Sequence, residues 1–217
     1  MSEITAQMVK ALREKTGAGM MDCKAALQET GGDMEQAVEF LRKKGLKDVG
    51  KRSGKVAAEG TLGVYIHPGN QVAVVVELNC ETDFVAKGDE FIALASNLAM
   101  HIAALKPQYV GREDIPADIL KKEEEIIIEQ LNEKQRPMAD KIVPGKLTKF
   151  FEEWVLLDQP YVRDDTGKKT VKDLVDELSA KVGEKIIVRR FQRYEVGEGV
   201  ERAAMNFADE VASIAAG

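Results

Sequence analysis

The sequence predicts an α+β fold, and three observations carry that expectation. Two β-branched runs, GTLGVYI (60–66) and QVAVVVELNC (71–80), flank HPGN and read as a hairpin, with Pro68 and Gly69 where a type II turn wants them. A third run of strand-forming residues, KIIVRRFQRYEV (185–196), returns near the end of the chain. Around these runs the apolar residues recur at helical spacing, so helices packed on an antiparallel sheet are expected.

Taken in order, residues 1–45 read as three short helices forming one small module. Ile4, Met8 and Leu12 recur at helical spacing before Thr16-Gly17. A glycine turn, GAG, leads into a second helix that stops at Gly31-Gly32. Asp33 is a good N-cap for the third, with Gln36 placed to return the bond, and Gly45 is expected to end it. Residues 46–55 then read as a linker, within a stretch (43–55) that carries six basic residues against one acid. It holds no aromatic to stack a base.

The core is expected over 56–112 and 159–217. The second hairpin strand is nearly all apolar, which predicts cover on both faces. Residues 89–105 predict a helix with Phe91, Leu94, Leu98, Ile102 and Leu105 in one stripe. Residues 113–158 are charge-rich and predict an inserted helical hairpin arm, Leu120, Ile127 and Leu131 facing Ile142, Leu147 and Phe151. Pro144-Gly145 is expected to kink or break the second arm helix. After it come a short strand at QPYV, a helix at TVKDLVDELSAKVG, the strand near 186 and a closing helix. The alternation in KIIVRRFQRYEV is too irregular to assign a buried face.

Composition narrows the function. A formal net charge of −6 argues against a general nucleic-acid binder, which is usually basic. No apolar run reaches membrane-spanning length and no targeting segment is recognisable, so a cytoplasmic protein with no membrane partner is expected. Cys23 and Cys80 read as small buried hydrophobes rather than a disulfide, and with two histidines no metal cluster can be written. There is no GxxxxGK[ST] loop and no GxGxxG after a strand. His67 sits at a turn and His101 inside an amphipathic helix, so neither marks a catalytic set. The residues favour a binding protein that is not an enzyme and needs no cofactor; a cysteine-dependent enzyme using Cys80 is the weaker rival.

Four blocks carry a resemblance: EITAQMVKALREKTGAGMMDCKAAL, NCETDFVAK, MHIAALKP and RRFQRYEVGEGVER. In this order they are similar to the bacterial translation elongation factor Ts family. The resemblance implies a ubiquitin-associated-like three-helix module and an α+β core. It implies a guanine-nucleotide exchange factor that binds elongation factor Tu with GDP, displaces Mg²⁺, and promotes GDP release and GTP rebinding. The long bacterial form carries two related core copies where this chain has one, so a homodimer supplying the missing half is expected. The alternative is an adaptor that uses the three-helix module for protein binding alone.

The resemblance also implies site residues. Thr82, Asp83, Phe84 and Val85 match the stretch that intrudes near the magnesium site of the GTPase. Arg13, Met20 and Met21 would dock the N-terminal module, and His67 and Gly69 match a turn on the phosphate-loop side; Phe207 is a further candidate contact. From spacing alone Phe84 has two readings, because it lies seven residues before Phe91 and falls on the same stripe. It either begins the core helix or projects as a wedge, and Gly88 and Lys87 favour the wedge. An acceleration of ~10⁴ requires roughly 5.5 kcal/mol, whereas burying one Phe supplies at most about 3 kcal/mol, so further anchors are required.

Overall fold

The hairpin forms where the β-branched runs place it. In the computed structural model, which describes residues 4–16, 18–51 and 54–200, with the side chains of 46–51 outside that description, β1 (Glu59–Ile66) pairs antiparallel with β2 (Val72–Cys80). The turn closes with the Asn70 amide donating to the His67 carbonyl at 2.9 Å, and Gly69 takes φ +91°. On the other side β2 pairs antiparallel with β3 (Ile187–Glu195), giving a three-stranded sheet in the order β1-β2-β3. The protein is α+β.

One face of β2, formed by Val74, Val76, Leu78 and Cys80, is fully buried. Against it lies α5 (Asp89–Leu105), which buries Phe91, Leu94, Leu98 and Ile102 of the expected stripe, while Leu105, in the last turn, is exposed. Gly63 makes that approach possible: a Cβ there would stand 2.2 Å from the Ala95 carbonyl oxygen. The expectation of cover on both faces of β2 is corrected. On the outer face Val75 is exposed, flanked across the ladder by exposed Leu62, Val64 and Ile66 of β1. The irregular pattern of β3 has a cause, because Glu77 pairs with Arg190 and Leu78 with Val188, leaving Arg189 as the extra residue of a bulge. Both arginines consequently reach the Glu77 carboxylate, at 2.9 Å and 2.6 Å.

The N-terminal unit has its own core. Helices α1 (Ala6–Thr16), α2 (Met20–Glu29) and α3 (Met34–Lys51) bury Leu12, Cys23, Ala26, Leu27 and Ala37 among themselves. The Asp33 carboxylate accepts from the Gln36 amide at 2.9 Å, as a helix cap should. Gly45 does not end α3, which runs on to Lys51. A mid-helix glycine costs about 1 kcal/mol but stops a helix only where the backbone turns left-handed. Here its missing side chain lets α3 meet α8 (Val171–Val182), since a Cβ would lie 2.9 Å from that of Ala180. The α8 helix is itself well bounded, by a Thr170–Asp173 capping box and by Gly183 at φ +76°.

The arm consists of α6 (Ala117–Glu129) and α7 (Ala139–Trp154), closed over Ile127, Leu131, Leu147 and Phe150. Phe150, rather than Phe151, is the buried aromatic; Phe151 lies partly open beneath the Arg112 guanidinium, 4.4 Å from its ring centre. Pro144 does not break α7. It deletes a single amide donor, and Leu147 and Phe150 hold the following turns by packing. The QPYV segment is an isolated bridge, Pro160 to Thr170, not a strand: the Tyr161 amide donates to the Lys169 carbonyl at 2.8 Å, but the Val162 amide turns away to a side chain. Beneath that segment His101 is fully buried, its Nε2 2.9 Å from Gln159 Oε1 and its Nδ1 accepting from the Val162 amide. The closing helix and Phe207 lie outside the described residues.

Candidate functional site

β2 ends in the core at Cys80, whose thiol donates to the Thr82 carbonyl at 3.1 Å. Burial pushes that thiol's pKa up, so it stays protonated and packs as an apolar group. The chain then turns through Thr82, which is extended (φ −127°, ψ 153°) and caps α4 (Asp83–Ala86) by accepting from the Val85 amide. Within this single turn Val85 and Ala86 face inward and are buried, while Phe84 is 85% exposed. Asp83 pairs with Lys87 at 2.7 Å along the outside of the turn. That hydrogen bond holds the Asp83 carboxyl below the usual carboxylate range.

Gly88 separates α4 from α5 with an extended backbone, φ −69° and ψ 137°. The interruption rotates the chain, so Phe91 enters the core at 1% exposure while Phe84 points out. Spacing alone left two readings of Phe84; the projecting one is the observed geometry. Val85, the next residue, faces the other way, its side chain buried in the core cluster that includes Leu78 and Phe91.

The corner is tied to a distant part of the chain. Glu184, between α8 and β3, accepts from the Glu81 amide at 3.2 Å, the Thr82 amide at 3.0 Å and the Thr82 hydroxyl at 2.7 Å. In return the Glu81 carboxylate accepts from the Lys185 amide at 2.8 Å. Sequence reasoning missed both acids, and a pairing across about a hundred residues leaves no local signal.

The other expected contact residues lie elsewhere. His67 and Gly69 occupy the opposite end of the hairpin, about 25–30 Å away at about 3.3 Å per strand residue. His67 is exposed, its Nδ1 3.1 Å from the Tyr65 hydroxyl, and a side chain on Gly69 would meet only open space. Arg13, Met20 and Met21 are all exposed on the three-helix unit. Met20 and Met21 therefore do not pack within that unit, where Cys23, Ala26 and Leu27 fill the space. The three patches are not brought together into one pocket. They are spread along one molecule. Among the described residues no three or more His, Cys, Asp or Glu side chains are grouped to hold a metal ion, and no helix is long and apolar enough to cross a membrane.

The family described as Elongation factor TS matches residues 2–198. The chain belongs to the elongation factor Ts family. It is 54% identical over 215 residues to Elongation factor Ts of Desulforamulus reducens, with 98% of each chain covered. Against that of Moorella thermoacetica the identity is 57% over 199 residues, covering 91% of this chain and 97% of the relative. Against that of Thermotoga petrophila it is 54% over 199 residues, covering 92% and 99%. Elongation factor Ts membership places the chain in protein biosynthesis and guanine-nucleotide exchange.

Proposed function

We propose that this chain binds elongation factor Tu carrying GDP, dislodges the Mg²⁺ of that GTPase, and so promotes GDP release and GTP rebinding in the cytoplasm. The observation that carries the reading is Phe84, a large apolar side chain held 85% exposed on a capped single turn of helix at the end of a half-buried sheet. A GTPase retains GDP through its phosphates and through Mg²⁺, which neutralises them and demands near-ideal octahedral geometry. An aromatic wedge that moves the backbone near the ion by a fraction of an ångström costs the ion its site, and the nucleotide loosens. Thr82 and Asp83 shape the wedge and Val85 roots it. Arg13, Met20 and Met21 dock the N-terminal unit, and His67 with Gly69 meet the partner at the far end of the hairpin. These contacts supply the binding energy that one phenylalanine lacks.

Linkage fixes the order of events. Whatever factor the protein takes from GDP affinity, GDP takes from the affinity of the protein, so it binds the empty GTPase tightest and leaves when nucleotide returns. The chemistry is displacement, with no bond made or broken by this chain. The test follows fluorescent GDP leaving elongation factor Tu: the protein accelerates release strongly and Phe84→Ala loses most of the effect. Tight binding with no change in release would favour the adaptor reading instead.

A specific observation also favours a homodimer. Leu62, Val64 and Ile66 of edge strand β1, with Val75 beside them and Tyr194 on β3, leave an open apolar patch on the outer face of the sheet, bordered by Glu77 and Gln192. The occupant proposed is a second copy, because at a two-fold axis the exposed apolar residues of β1 meet their own equivalents. Light scattering gives twice the chain mass for the parent and one chain mass for Val64→Lys.

A further inference from the structure

We infer that Glu184 is the positioning residue of the wedge, resting on the exchange reading of Phe84. α4 is a single turn, too short to hold its own direction. What fixes it is the extended pair Glu81–Thr82, and three hydrogen-bond donors of that pair end on one carboxylate, that of Glu184. The acceptor is itself held. Its backbone follows Gly183, whose left-handed conformation ends α8, and its carbonyl accepts from the buried Ser179 hydroxyl. The next amide, that of Lys185, donates to Glu81, so the two segments are bonded reciprocally.

The arrangement assigns reach, not charge, as the property that matters. A glutamine has the same length: its carbonyl oxygen accepts from the two amides and its NH₂ donates to the Thr82 hydroxyl, which has acceptor capacity for it. An aspartate keeps the charge but is one methylene short of the donors. Electrostatic attraction between Glu184 and a partner would give the opposite ranking.

The experiment measures GDP release from elongation factor Tu at saturating concentrations of the parent, Glu184→Ala, Glu184→Asp, Glu184→Gln, Phe84→Ala and the Phe84→Ala/Glu184→Ala double variant. Amide hydrogen exchange on each free protein accompanies it. Glu184→Ala and Glu184→Asp lower the maximal release rate about 10- to 100-fold, the scale of a misplaced contact, and Glu184→Gln stays within about threefold of the parent. The double variant is no slower than Phe84→Ala alone, because a residue that acts by aiming Phe84 has nothing left to aim. Protection of the Glu81 and Thr82 amides falls in Glu184→Ala and Glu184→Asp, while that of Val74 and Val76 in β2 is unchanged. Parent-like release by Glu184→Asp with slow release by Glu184→Gln overturns the inference, as do losses that multiply in the double variant or undiminished protection at residues 81 and 82. If the parent itself leaves GDP release unchanged, it is the exchange reading that falls, and the amide data still decide whether Glu184 holds the corner.

Discussion

Phe84 and Phe91 are the same residue, two helical turns apart in sequence, and the structure gives them opposite surroundings. Phe91 is sealed between α5 and the sheet; Phe84 stands in solvent on α4. The difference lies in the extended backbone at Gly88, which ends one helix and starts another with a new phase. Periodicity assigns a face only while a helix is continuous. A heptad spacing that crosses a break says nothing about burial, and an exposed aromatic beside such a break calls for an explanation in function.

The contrast can be broken most sharply at Phe91. Replacing it with Ala removes a core side chain and should cost about 3–5 kcal/mol of unfolding free energy in urea titrations. A cost under 1 kcal/mol would mean that α5 is not the core helix. The next effect is set by pH and tests the same helix ten residues on. Burial lowers the pKa of His101 below its ordinary value, and Gln159, the Val162 amide and the stacked Tyr161 ring are its neighbours. The unfolded chain therefore binds the proton more readily, so stability is complete above about pH 6.5 and is lost as pH falls below it. Thermal melts between pH 7 and 5 should show that decline, and His101→Gln should flatten it.

At the corner the expected effects on folding shrink. Thr82→Ala removes a helix cap and one Glu184 contact, and should cost about 1 kcal/mol while slowing GDP release. Phe84→Ala should be the smallest, within about 0.5 kcal/mol of the parent in the same titration, as for other exposed sites. If Phe84→Ala destabilised as much as Phe91→Ala, the two residues would be alike after all and the wedge would be a core residue.

Much of this was legible in the chain. The hairpin, its Pro68-Gly69 turn, the α5 stripe and the bounds of α8 follow from local chemistry: β-branched runs, a left-handed glycine, a threonine cap. What was not legible depended on contacts between distant segments. Gly45 reads as a stop, yet it is a close approach to α8. Pro144 reads as a break, but packing of Leu147 and Phe150 beyond it carries α7 through. The β3 pattern looks disordered until Arg189 is seen to be the bulged residue, with its pairing to Glu77 made across the sheet. At the candidate site the TDFV stretch stood out by its resemblance, whereas Glu184 had no mark in the sequence because its role is written in hydrogen bonds to segments a hundred residues away.

Gly63 sets the spacing on which all of this stands. With no side chain there, the axis of α5 rests directly on β1, its Ala95 carbonyl against bare backbone. One methyl group would have to lift that helix, and α4 is the short lever at its front end. A change in the floor of the molecule would thus be felt as a change in aim at the tip.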